Sequence, residues 1–161
     1  MPISFGSDDF FSMYRATSFS VAGLSFSSVD HFVRTLKHQP TSKLGASTLL
    51  LQINSNLHTS DPDLFARRND HIVRSDWFAQ RESALLAALW FRFSQNKDHG
   101  ARLLATGRAP LEYSSGEIPY GGEYNLLGES LMKIRDNLQR NEAPAAAQRA
   151  IEYLEKYYRR K

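Results

Sequence analysis

The chain has no cysteine, which excludes disulfides and thiolate chemistry and fits a reducing, cytoplasmic setting. It has no long hydrophobic run either. The longest, the eight residues Ala84–Phe91, falls far short of the roughly 20 that a membrane-spanning helix requires, so no membrane association is expected. The opening residues, MPISFGSDDF, lack a basic region and an apolar core of signal-peptide length, and no leader is expected there. A one-sided charge is nearly absent too. The sequence pI is 9.3 and the formal net charge +3. From Arg140 onward there are six Lys/Arg and three Asp/Glu, which leaves 14 basic and 14 acidic residues before it. A neutral body with a modestly basic tail is a poor match to a phosphate backbone. Nucleic acid is therefore an unexpected partner, except as a modified substrate.

Familiar catalytic signatures are missing as well. The Asp-His pairs are Asp30-His31, Asp70-His71 and Asp98-His99. Neighbours on a helix or strand do not converge on one ion, and no HExxH spacing occurs, so no metal is expected. There is no GxSxG elbow, Walker loop or GxGxxG turn. No local context supports a Ser-His-Asp triad. No cofactor is implied. Beyond Ala145–Ala147 there is no low-complexity stretch, and there is no internal repeat.

What is present is material for one domain: 161 residues, 42% hydrophobic and 23% charged, enough for a proper core. The organising stretch is Arg74–Asn96. Asp76 is a fair N-cap for a long segment without Gly or Pro. Residues apolar on all sides belong inside a domain, so the back half of this helix, from Ala84, is expected to be core. Trp77 and Arg81, four apart in the front turns, share a face.

Earlier in the chain, Phe19 and Val21 alternate with serines, as do Leu24 and Phe26 in part. With Ala22-Gly23 between them, these runs predict a hairpin. Val29, Phe32, Val33 and Leu36 then fall at helical spacing, with Ser27 or Ser28 as cap and Pro40 beyond the end. Asp30 lies three residues after Ser27, and spacing alone favours a capping-box acid. SKLGASTLLLQI reads as either helix or strand. NSNLHTSDPD reads as a polar loop, and a helix with Pro62 in its first turn is expected after it. KDHGARLLATG predicts a short helix ended by Gly107, and LEYSS an edge strand. EIPYGGEYN is a tight polar-aromatic loop. Asn125–Leu138 follows as a helix striped by Leu127, Leu131, Ile134 and Leu138. A last helix from Pro144 is expected to turn Ile151, Leu154 and Tyr158 inward. The fold class expected is α+β: a mostly helical single domain with a small N-terminal β-hairpin, residues 1–139, and an additional C-terminal helix in 140–161, packed on it or extending from it.

Several of these segments, in order, resemble the NADAR family of YbiA-like proteins. FFSMYRATSFSVAGLSFSSVDHF resembles that family's opening, with its F-x-V-x-G and Ser-Val-Glu-His. RSDWFAQR resembles Arg-x-Asp-Trp-x-x-x-Arg, and RFSQN with LLATG resembles Lys-Phe-x-Gln-Asn and Leu-Leu-x-Thr-Gly. EIPYGG resembles Asp-x-x-Trp-Gly, and NLLGESLMKIRDNL resembles the Asn-x-Leu-Gly ending. The cover is residues 10–138. The resemblance implies a YbiA-like α+β fold and hydrolysis of N-glycosidic bonds, in phosphorylated riboflavin-pathway intermediates or ADP-ribosylated nucleobases. It carries the catalytic positions onto Asp30, Trp77 and Glu117. Ligand-binding positions fall on Tyr120, Arg74, Arg81, His31, Gly121 and Asn125. The chain departs from the pattern at Asp30 (family Glu), Glu117 (family Asp), Tyr120 (family Trp) and Met13 (family Asn), and its glycine loop is shorter.

These residue types suit the chemistry. Breaking a ribose C1′–N bond builds positive charge on the sugar. One carboxylate can activate water or face that charge, and a second can hold ribose hydroxyls. Aromatics flank base and sugar, and Arg pairs with phosphate. Asp30 is one methylene shorter than the family residue and Glu117 one longer, so the two changes compensate if both address one ligand. The implied function is an N-glycosidase acting on an ADP-ribose-type or ribosyl-phosphate conjugate. The alternative is a non-catalytic binder that sequesters such a nucleotide. A third reading is an interaction protein that works through its C-terminal helix.

Overall fold

The computed structural model describes residues 1–56, 67–117 and 119–159. The strands are β1 (Ile3–Phe5), β2 (Phe19–Val21), β3 (Leu24–Phe26) and β4 (Leu111–Tyr113). The helices are α1 (Val29–Lys37), α2 (Ala46–Asn56), α3 (Trp77–Gln95), α4 (Lys97–Leu104), α5 (Leu126–Arg140) and α6 (Ala145–Tyr157). The expected α+β class, mostly helical with a small hairpin, is what the chain adopts. No helix among the described residues is long and apolar enough to cross a membrane.

The hairpin forms where the alternation placed it. Phe19 pairs with Phe26, Ser20 with Ser25 and Val21 with Leu24, antiparallel. The turn residues Ala22 and Gly23 have φ of +52° and +78°. A two-residue turn with both φ positive has the twist that strands prefer. Phe19, Val21 and Phe26 are buried, while the serines face water. LEYSS supplies β4, but its partner is β1, which runs parallel to it from Ile3 opposite Leu111 to Phe5 opposite Tyr113. Three residues carry no readable period, so the sequence does not announce β1.

The ambiguous SKLGASTLLLQI is helical from Ala46 onward, and Leu49 and Ile53, one turn apart, are fully buried. The polar stretch from 57 and the helix expected around Pro62 lie outside the described residues. Helix α3 packs against α1, α5 and α6. Ala84, Leu85, Ala87, Ala88 and Leu89 are all at most 4% exposed, as the apolar run requires. Asp76 occupies the N-cap position of α3 without a side-chain capping bond. Its carboxylate instead takes Arg74 Nε at 2.6 Å and Nη2 at 3.0 Å.

The far end of α3 clamps the N-terminal segment. Arg92 is fully buried. It donates from Nη1 to Ser12 O at 3.0 Å and from Nη2 to Phe10 O at 2.5 Å, and its guanidinium lies against the rings of Phe93 and Phe10. Gln95 presents its amide to Ser20 as a neighbouring strand would: Oε1 accepts from Ser20 N and Nε2 donates to Ser20 O. Asn96 Nδ2 donates to Ser18 O.

Similar joints fasten the other side. Arg135 Nη1 donates to Thr106 Oγ1 and Ala109 O, both at 2.8 Å, just around Gly107 (φ +64°). In α5, Leu127, Leu131 and Ile134 are fully buried, whereas Leu138 is half-buried. A Cβ on Gly128 would lie 2.2 Å from Leu111 O, so this position admits α5 to β4 only as glycine.

The last helix turns Leu154 and Tyr158 inward as expected, and its buried face extends further, over three alanines and Tyr153. Ala146, Ala147, Ala150, Tyr153 and Leu154 are buried in α6, Tyr158 follows them, and Ile151 is only half-buried. Small alanines let α6 approach α3 closely, which a count of large apolar residues overlooks. Tyr153 and Tyr158 both donate their hydroxyls to His38 O, at 2.9 and 2.6 Å, just beyond the end of α1.

Arg92→Met removes the charged donor and leaves two buried carbonyls without their partner. A loss of roughly 3 kcal/mol is expected, read as a lowered urea midpoint at unchanged slope. Arg92→Lys recovers little of it, because an ammonium lacks the guanidinium's planar fork.

Candidate active site

Three parts of the chain meet at one polar face: the segment before β2, the first turn of α1, and the loop between β4 and α5. Ser28 is the N-cap of α1, and its Oγ accepts from His31 N at 3.0 Å. Because the cap is Ser28, the capping-box position falls on His31. Asp30 is therefore released from the capping role that its spacing from Ser27 suggested. Its backbone N–H donates to Met13 O at 2.9 Å. The residue is buried, and its carboxylate takes Arg34 Nε at 3.0–3.1 Å, one helical turn on.

From Met13 the chain passes to Tyr14, whose hydroxyl donates to Glu117 Oε1 at 2.5 Å. Asp30 and Glu117 thus touch two adjacent residues, one through the backbone and one through the side chain. Burial and then the Glu117 hydrogen bond push the Tyr14 phenol well above its usual range, with Asp30 adding to the shift. Tyr120 lies in the same field. Burial, then Asp30, then Glu117 raise its phenol to about 12, while Arg81 and Arg34 pull the other way. Two carboxylates and two guanidinium groups therefore act on Tyr120 in opposite directions.

The glycine loop sets the position of Glu117. Gly121 N donates to Glu117 O at 2.7 Å, and Gly122 N donates to Ser115 O at 3.0 Å. A Cβ on Gly121 would stand 2.0 Å from Ser115 O, so the loop folds on itself only with glycine there. Gly121, expected at the ligand, is buried inside this turn. Asn125, expected either to cap α5 or to meet ligand, makes no side-chain capping bond. Its Oδ1 accepts from Tyr113 N and its Nδ2 donates to Leu111 O, both at 2.9 Å. It ties β4 to α5 and commits its amide to the strand.

The other expected positions divide between two faces. Arg81 stacks on Phe78, centroid distance 4.3 Å, and also reaches the field of Tyr120. Trp77, one turn before it on the same side of α3, is half-buried against the core. Arg74 is committed elsewhere. Besides its fork onto Asp76, it stacks on Tyr153 at 4.1 Å and lines a cavity between α1, α3 and α6. Asp76 wins Arg74 because it is two residues away. His31 is buried, and Ser27 N donates to its Nδ1 at 3.1 Å, which fixes the neutral tautomer with hydrogen on Nε2. Its ring packs edge-on against Phe26. Among the described residues no group of three or more His, Asp or Glu side chains is placed to hold a metal.

Sequence reasoning missed Tyr14 and Arg34. Arg34 was visible as the i+4 partner of Asp30. Tyr14 carried no local signal, because its partner lies 103 residues away.

No family model matches the sequence, and no curated protein does so. Among solved structures, the NMR structure of the E. coli protein YbiA has a similar fold: TM-score 0.67, 26% identity, 86% of this chain and 85% of that chain covered. The relationship to YbiA is of the NADAR type, with divergence.

His31 makes the fold acid-sensitive. Burial, and secondly Arg34, lower its pKa from 6.5 to about 4. Below pH 6.5 the unfolded chain takes up a proton that the folded chain refuses until about pH 4. Stability therefore falls as pH drops through that window, by about 3 kcal/mol at most from this group. His31→Asn, which retains an acceptor for Ser27 N, should flatten the slope of unfolding free energy against pH over this window. An unchanged slope would assign the acid loss to other groups.

Proposed function

We propose that this YbiA-like chain is an N-glycosidase that hydrolyses the C1′–N bond of a ribose in an ADP-ribose-type or ribosyl-phosphate conjugate. The observation that carries the reading is the convergence of Asp30 and Glu117 on Tyr14 and Tyr120, together with the activity that the family resemblance implies. Glu117 is exposed and accepts the Tyr14 hydroxyl. It is suited to orient a water and take its proton as the sugar becomes cationic. Asp30 is buried and oriented by Arg34, and it contributes fixed negative charge or holds ribose hydroxyls. Tyr120 and Trp77 flank the base or sugar. Arg81 is available for a phosphate.

The lengths of the acids fit this assignment. A misplacement of about 1 Å at the reacting atoms costs roughly 10²-fold in rate. A shortened acid on α1 opposite a lengthened one on the loop moves the midpoint between them and keeps the span. The substrate then sits closer to α1 than it would with the family's residues.

One observation favours the rival reading, a non-catalytic binder. The guanidinium of Arg34 neutralises part of the charge that Asp30 would offer to an oxocarbenium ion.

Incubation with a panel of ADP-ribose conjugates and ribosyl-phosphate riboflavin precursors, followed by mass analysis of bound and released species, separates the two. Hydrolysis yields a free sugar phosphate or ADP-ribose together with the departed base. Asp30→Asn should lower that release by roughly 10²–10³-fold with ligand still bound. Full activity in the variant would remove Asp30 from the reaction, and ligand recovered intact from the unmodified protein would establish the binder.

A further inference from the structure

A cavity of about 530 Å³ opens between the end of α1, the start of α3 and α6. Its size is that of a small-molecule pocket. Asp30, Glu117, Tyr120 and Arg81 are not among its lining residues. One wall is α6, which lies outside the stretch that resembles the NADAR family.

The charges in this wall are not balanced among themselves. Arg74, Arg149 and Lys156 face two carboxylates, Asp76 and Glu152. Asp76 is taken by Arg74. Arg149 bonds only a neutral partner, with Nη2 on Ser83 Oγ at 3.2 Å, and Lys156 lies 5.1 Å from the ring centre of Tyr157. Among the described residues, neither Arg149 nor Lys156 has a carboxylate within ion-pair distance. Arg74 is held rigid by Asp76 on one side and the Tyr153 ring on the other. A pre-oriented guanidinium gives up little freedom when it meets an anion.

We propose that this cavity is a second binding site, for a small phosphate monoester carrying a planar ring, of the size of a nucleoside monophosphate. Arg149 and Lys156 take the phosphate, with the outer edge of Arg74 behind them. The half-exposed ring of Tyr157 offers a face for the planar group, and the Gln80 amide offers both a donor and an acceptor to its edge. Arg149, Lys156 and Tyr157 lie on α6, away from the turn of α1 that carries Asp30, so the site does not depend on the glycosidase assignment.

The test uses AMP as probe, titrated by calorimetry at low salt into the full chain and three variants. Saturable binding below about 1 mM is expected. It should weaken at least tenfold in the Arg149→Gln/Lys156→Gln double variant and remain unchanged in Arg81→Ala. Adenosine, which lacks the phosphate, should bind at least tenfold more weakly than AMP. Both substituted residues of the double variant are exposed on α6, and an unchanged melting temperature without ligand verifies its fold. Tyr157→Ala should weaken AMP but leave inorganic phosphate unaffected. The proposal fails if the unmodified chain shows no saturable AMP binding, if the double variant binds as tightly as the unmodified chain, or if adenosine matches AMP. Loss of binding in Arg81→Ala would place the nucleotide at the other face and equally overturn it.

Discussion

Arg92 is the constraint from which the polar face follows. A guanidinium in the core is costly unless its charge is solvated from within. Here the solvent is the chain itself: two carbonyl oxygens, at Ser12 and Phe10, and the faces of two phenylalanine rings. Burial lowers its pKa, and Arg15 and Arg102 lower it further, so holding the charge requires those carbonyls. Once they are fixed, Met13 and Tyr14 have little freedom. Met13 O then receives Asp30 N, and the Tyr14 hydroxyl meets Glu117. The segment RFSQN thus helps to hold the backbone that Asp30 and Glu117 both touch. It also explains why a loop of serines and aromatics with little regular structure holds a defined shape.

Much of the fold was legible because its signals are local. The hairpin follows from alternation and a two-residue turn, α1 from four apolar residues at helical spacing, and α5 from its leucine stripe. Hidden features had causes outside their own window. The β1–β4 pairing joins strands more than a hundred residues apart. Much of the inward face of α6 is made by alanines, which carry little weight in a hydrophobic pattern yet permit close approach. The capping-box reading of Asp30 fails by a shift of one residue, since a cap at Ser28 changes what each following side chain does. Arg74 and Asn125 each hold a near protein partner that no periodicity announces: Asp76 for the first, the edge of β4 for the second. The cluster around Tyr120 was legible only through the order of the family-like segments. Its members Asp30, Arg81 and Glu117 lie on three elements, and no spacing connects them.

Most of the segments shared with YbiA-like proteins turn out to be joints. Asn125 and Gly128 seat α5 on β4, Thr106 and Arg135 close the turn after α4, and Gln95 completes the hairpin's hydrogen bonding. Such positions resist change because their neighbours are backbone atoms, which cannot adjust by choosing another rotamer. The residues around Tyr120 are under a different constraint. They meet through side chains, as Tyr14 and Glu117 do, so a change in one length can be absorbed by a change in another. The departures from the family pattern, at Asp30, Glu117, Tyr120 and Met13 and in the shorter glycine loop, leave these joints intact.

The parallel strand pair bears on how the molecule can be made. Ile3–Phe5 meets Leu111–Tyr113, closing a loop of more than a hundred residues. Helices reach their local contacts in microseconds, whereas parallel pairing across such a separation waits on the entropy of loop closure. The turn that presents Glu117 hangs from β4 and cannot take its final position until that closure is complete. A refolding chain will therefore regain its helical signal before it regains its acid pair, and during that interval it is a folded-looking protein without a working face.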